Sequence, residues 1–211
     1  MRLSALLLLS LAACTGSGPV ATTGPDAVPS GALLAAVTDS LAEAARRPEV
    51  ARRAMIRAGI TPLGDFGRPD SLNPQFLLGD RVAGLIPGRH PLARPDLVIV
   101  ASGLDDPATP AVLEAMRVLV ERSMWTIAPE RTVLVALWPA GRAEEALRTE
   151  VWPRENVRAV LLVGEGGPTP TEIEVARILP GGDALGLAQS VLDETIRLAQ
   201  RPAASDTLAA R

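Results

Sequence analysis

The chain has 211 residues, with 21 basic and 24 acidic side chains and a formal net charge of −3. That length suits one domain of ordinary size, and nothing in the charge or composition points to nucleic acid. Every basic residue other than a single histidine is arginine, tyrosine is absent, and Ala, Leu, Pro and Gly are abundant. We read this as a bias of genome composition with no function attached.

The first element is a secretory signal. Arg2 precedes an apolar run over residues 3–11, followed by the small residues Ala12 and Ala13 and then Cys14, the only cysteine. A bilayer span needs about 20 apolar residues, so this run targets the chain rather than anchoring it. Leu11-Ala12-Ala13-Cys14 resembles the lipobox of bacterial lipoproteins. That resemblance implies cleavage after Ala13 and acylation of Cys14, which also accounts for a cysteine that would otherwise be an unpaired thiol in a secreted chain. Two or three acyl chains hold a protein stably on a membrane, each buried methylene adding about 0.8 kcal/mol. Thr15 stands where the inner-membrane retention signal of some bacteria has Asp, so the expected location is the cell envelope, at the outer membrane. Loss of residues 1–13 removes Arg2 and takes the net charge from −3 to −4.

Residues 14–30 are rich in Gly, Pro, Thr and Ala without apolar periodicity, and are expected to form a flexible tether. Residues 202–211 read as an unstructured tail, leaving 31–201 as the folded domain. Ser30 is placed to cap a helix carrying Leu33, Leu34, Val37, Leu41 and Ala45 at helical spacing. A second helix is expected from Pro48 to Gly59, with Val50, Ala54, Met55 and Ala58 inward. Residues 76–78 and 82–86 read as two short strands or a hairpin. From Asp96 the pattern becomes regular: apolar runs at 97–101, 132–138 and 157–163 alternate with helices at 111–120 and 143–150, and a last helix covers 184–200. Short apolar runs separated by helices predict an α/β fold, a three-layer αβα sandwich around a mixed, mostly parallel sheet.

These segments, in order, resemble zinc metallopeptidase family 28, which contains bacterial secreted aminopeptidases and is related to glutaminyl cyclases. The resemblance is carried by Arg57-Ala58-Gly59-Ile60-Thr61-Pro62-Leu63-Gly64, by Phe76-Leu77-Leu78 and by Arg81-Val82-Ala83-Gly84-Leu85-Ile86-Pro87-Gly88. It continues through Asp96-Leu97-Val98-Ile99-Val100-Ala101, the helix over residues 111–122, and the strand from Pro129 to Trp138. It implies a truncated form of the phosphorylase/hydrolase-like peptidase architecture. In that family two zinc ions are held by two histidines, a bridging aspartate and further carboxylates, with a glutamate as general base.

The ligand positions implied by the resemblance are altered here. Gly103-Leu104-Asp105 stands where the family has His-x-Asp, Gly141-Arg142 where its glutamates follow the strand, and Gly164 where a strand ends in Asp. The loop of the bridging aspartate is reduced to Asp105-Asp106-Pro107, and the only histidine, His90, precedes the sheet in a turn. One histidine without a second makes no paired zinc site.

The expectation is therefore a peptidase-like lipoprotein without catalytic residues, metal or other cofactor, tethered to the membrane through Cys14 and binding or scaffolding an unnamed envelope partner. Asp105 and Asp106 mark the candidate ligand crevice, because open α/β sheets bind ligands at the carboxyl ends of their strands. Adjacent carboxylates there serve either a cation or the cap of the next helix. The rival is an active metallohydrolase that uses shifted carboxylates, Asp105, Asp106, Glu144 and Glu145; the last two fall on the exposed face of a short helix in our reading.

Overall fold

The computed structural model describes residues 23–43, 47–63, 82–125, 128–138, 154–164 and 173–200. The signal segment, Cys14, Phe76-Leu77-Leu78, Gly141, Arg142, the helix expected over 143–150 with Glu144 and Glu145, and the C-terminal tail lie outside these residues.

Two helices lead the fold, α1 (Gly31–Leu41) and α2 (Arg47–Arg57). Ser30 occupies the N-cap of α1 as expected, yet its side chain makes no capping bond. α2 closes on Gly59 at φ +75°, with the Ile60 N–H donating back to Met55 O at 2.9 Å. This left-handed stop is one that glycine adopts at little cost. The strands follow: β1 (Thr61–Pro62), β2 (Val82–Ile86), β3 (Leu97–Gly103), β4 (Thr132–Trp138), β5 (Val157–Val163) and β6 (Glu174–Ile178). Helix α3 (Thr109–Ser123) joins β3 to β4, and α4 (Ala184–Ala199) ends the described chain. Pro110 sits in the first turn of α3, where its missing N–H costs nothing, and Asp183 caps α4 by accepting from Gly186 N at 2.6 Å.

The sheet runs β1-β2-β4-β3-β5-β6. β4, β3, β5 and β6 are parallel, and β2 and β1 add an antiparallel margin. The three apolar runs read from the sequence are thus adjacent central strands of a mixed, mostly parallel sheet flanked by helices. Alternate residues divide the core into two faces. Val98, Val100, Val133, Val135, Leu137, Leu161 and Val163 pack with buried residues of all four described helices. Leu97, Ile99, Ala101, Leu134, Ala136, Trp138, Val160 and Leu162 form the opposite face, which is buried to a similar degree. Among the described residues no helix is long and apolar enough to cross a membrane.

Two differences from the expectation stand out. β6, Glu-Val-Ala-Arg-Ile, was not foreseen. The second half of the expected tether is also not loose. Gly24 N donates to Glu121 Oε1 at 2.8 Å, Arg122 Nε to Ala27 O at 2.8 Å, and Ser30 N to Glu114 Oε1 at 2.8 Å, while Ala27 is fully buried. The chain is fastened along α3 from Gly24 onward because side chains of α3 satisfy its backbone groups, which its own composition does not reveal.

At the end where the parallel strands begin, Asp96 is buried between Arg158 Nε at 3.0 Å and Arg131 Nε at 3.8 Å. Burial pulls the Arg131 guanidinium below its ordinary value, and the Asp96 carboxylate opposes that shift. Arg131 also donates to Leu198 O at 3.2 Å, tying the start of β4 to the end of α4.

Candidate functional site

The carboxyl ends of β3, β4 and β5 define the crevice in which a ligand of this fold would sit. β3 ends at Gly103 and α3 begins at Thr109, with five residues between them, so the connection is a tight, hydrogen-bonded turn. Leu104 N donates to Trp138 O at 2.5 Å, Asp106 N to Gly103 O at 3.0 Å, and Thr109 N to Asp106 O at 3.0 Å. The Thr109 hydroxyl donates to Gly103 O and lies 3.4 Å from Ser102 Oγ.

Within this turn the two neighbouring carboxylates part company. Asp105 is exposed, whereas Asp106 is buried and its Oδ1 accepts from Ala108 N at 2.7 Å. Asp106 therefore closes a local turn onto Ala108, the residue before α3, and the helix itself has no side-chain capping bond. Its carboxylate also reaches across to β5. A Cβ added to Gly164 would lie 2.2 Å from Asp106 Oδ2 and 2.5 Å from its Cγ, and Gly164 has φ +95°. The space beside the end of β5, where a ligand side chain would project, is taken by Asp106. Gly103 is tight as well, since a Cβ there would meet that of Asp106 at 3.2 Å.

His90 lies in the turn before β3, exposed, its Nδ1 accepting from Ala93 N at 3.3 Å. It belongs to the opposite end of the sheet, because Arg89 N beside it donates to Pro129 O ahead of β4. The structure brings Gly103, Asp105, Asp106 and Gly164 together and keeps His90 apart from them. Among the described residues no group of three or more His, Cys, Asp and Glu side chains is placed to hold a metal ion. The described strand ends do not fit the paired zinc ions of the resembled family: two of their positions are glycine, and the buried carboxylate is engaged by the Ala108 N–H of the turn. Sequence reasoning missed the partnership of Asp106 with Gly164 and the hydroxyls of Ser102 and Thr109. A glycine ending an apolar run was the available signal for close approach.

No protein-family model matches the sequence, and no curated protein matches it. Solved structures do. A protein of Bacteroides vulgatus provisionally assigned as a zinc-dependent exopeptidase superposes with a TM-score of 0.52 at 10% identity, covering 81% of this chain and 96% of its own. The aminopeptidase LapA of Legionella pneumophila gives a TM-score of 0.40 at 10% identity, over 62% of this chain and 42% of its own. A zinc aminopeptidase of Bacillus subtilis gives 0.31 at 14% identity, over 39% and 23%. The chain thus spans less than half the length of these two aminopeptidases. The Bacteroides structure shares the α/β fold described above.

Proposed function

We propose that this protein is a lipid-anchored, peptidase-like domain of the bacterial cell envelope that has lost zinc catalysis and acts by binding or scaffolding a partner. The fold shared with a zinc exopeptidase-like structure supports the architecture, and fold alone does not carry activity. The observation that carries the loss of chemistry is the filled crevice: Asp106 spends its carboxylate on Ala108 N and lies against Gly164. Glycine offers no donor beyond its backbone, and Arg142, in a position the resemblance assigns to the glutamates, would set a permanent positive charge against any cation. Asp105 matches the aspartate that orients a histidine in the resembled family, but position 103 holds no histidine to orient.

The test is metal content by mass spectrometry on the mature protein refolded with excess zinc, beside an assay on aminoacyl chromogenic substrates. The expected result is no stoichiometric zinc and no turnover. Two tightly held zinc ions per chain, or turnover abolished by Asp105→Ala, would favour the active hydrolase with shifted carboxylates.

Anchoring rests on Leu11-Ala12-Ala13-Cys14 and has its own test. Cys14→Ser should abolish incorporation of labelled fatty acid and leave the chain uncleaved or soluble. Label entering the Ser variant would refute the lipoprotein reading.

A further inference from the structure

The segment ahead of α1 is seated on α3 by its backbone. Glu114, Arg117 and Glu121 recur at three- and four-residue spacing and so share one face of the helix, with Arg122 beside the last of them. Their charges alternate in sign, and each takes a backbone group of residues 24–30. The carboxylates accept from N–H groups, Glu121 Oε1 from Gly24 N and Glu114 Oε1 from Ser30 N, both at 2.8 Å. The guanidiniums donate to carbonyls, Arg122 Nε to Ala27 O at 2.8 Å and Arg117 Nη2 to Val28 O at 3.4 Å. The segment therefore runs antiparallel to α3.

What its side chains contribute is small size. Gly24, Ala27 and Pro29 are buried, while Thr23, Pro25, Asp26 and Val28 are exposed. A segment that forms neither helix nor strand and buries so little apolar surface gains little from its own composition against the cost of ordering it. It also precedes α1, so it opens without any helix or strand having to unpack, and segments of this kind open first. The groove it leaves is already formed. Arg117 grips Glu114 through Nε to Oε2 at 2.9 Å and Nη2 to Oε1 at 2.8 Å, bonds that do not involve the segment. Glu114 is buried, yet it keeps a charge partner when Ser30 N departs and stays where another peptide N–H can reach it. Groups fixed in advance bind at a lower entropic cost.

We propose that residues 24–30 are a detachable strap over a peptide-binding groove on α3, and that the groove receives a segment of another protein, free of helix and strand, whose inward residues are Gly, Ala or Pro. The alternating charges match the donors and acceptors that any peptide backbone carries, so the partner needs no charge of its own. A side chain much larger than that of Ala27 is excluded by the full burial of its place. This gives a site to the binding role proposed above, on which it rests, and needs neither the anchor nor the loss of zinc.

The test uses the full mature protein and a fluorescein-labelled peptide of residues 23–30, read by anisotropy. In the wild type the strap competes from within the same chain at a roughly millimolar effective concentration, so the peptide should bind weakly. Ala27→Arg puts a long charged side chain into a fully buried place and should expel the strap. Gly24→Val loosens it more gently, since a Cβ there meets nothing within 4 Å but the residue is strained at φ +98°. Both leave the groove intact, and peptide affinity should rise by about tenfold or more, further for Ala27→Arg. Arg122→Gln added to either should lower it by about tenfold. Hydrogen exchange should show fast amides at residues 24–30 with α1 and α3 still protected. If the strap exchanges fast and peptide affinity does not rise, the groove is wrong, while the tests of zinc and acylation are unaffected. Strap amides that stay protected in both variants, or that lose protection only together with α1 and α3 even in Gly24→Val, would show that no detachable strap exists. Equal affinity for a peptide carrying Ala27→Leu overturns the small-residue partner. Dimers of Gly24→Val protein that the peptide disperses would assign the groove to the strap of a second copy and overturn the separate partner.

Discussion

Ile99→Asp and Leu134→Asp are expected to abolish folding. Ile99 is fully buried and Leu134 is 1% exposed; they are paired directly across β3 and β4, and Ile99 also faces Val160 on β5. Losing either side chain from the core removes about 1.5–3 kcal/mol of burial. The carboxylate that replaces it has no water and no partner, and must stay charged at a cost of several kcal/mol or bind a proton. The sum is comparable to the whole stability of an ordinary domain, about 5–15 kcal/mol. Circular dichroism during urea unfolding reads the outcome: no cooperative transition for either Asp variant, against a loss of about 1 kcal/mol for Ile99→Val. Soluble Ile99→Asp protein that unfolds cooperatively would show that this sheet face is not the core.

Gly164→Ala is the second large effect, and it bears on function. A non-glycine residue at φ +95° costs about 1–3 kcal/mol. The new methyl also overlaps Asp106 Oδ2, at 2.2 Å. Asp106 cannot swing aside freely, because doing so breaks its buried hydrogen bond to Ala108 N, an interaction typically contributing about 1 kcal/mol. The expected loss is about 2–4 kcal/mol, and Gly164→Ala should cost less in an Asp106→Ala background, where the backbone strain persists and the overlap is gone. Strictly additive losses in this double-mutant cycle would mean that the two residues do not compete for the crevice. The filled crevice would then no longer support the loss of zinc chemistry.

The central strands were legible because their physics is local to the sequence. β3, β4 and β5 are covered on both faces over most of their length, so each reads as an apolar run with branched side chains, broken in β5 only by the exposed Arg158 near its start. β6 escaped notice because it is an edge strand whose Glu174 and Arg177 are exposed, and a pattern with charges does not announce burial. Residues 24–30 escaped for another reason. Their order comes from Glu114, Glu121 and Arg122, some ninety residues away in sequence, and a Gly-Pro-rich stretch carries no mark of such partners. The crevice was half legible. Asp105-Asp106 at a strand end drew attention on position alone, but that one carboxylate would turn inward onto Gly164 while the other stayed in water is decided by tertiary packing.

The position of β3 between β4 and β5 also governs how this domain is reached from an unfolded chain. Both neighbours come later in the sequence, each behind a long connection, so β3 finds no parallel partner until the whole of α3 has been spanned. Such distant pairings carry a loop-closure cost before any contact repays it, and domains built on them fold slowly. During that interval the apolar runs of β3 and β4 are open to pairing with other chains, which makes folding in dilute solution, or under the care of a holding chaperone, the condition under which this protein should be recovered in highest yield.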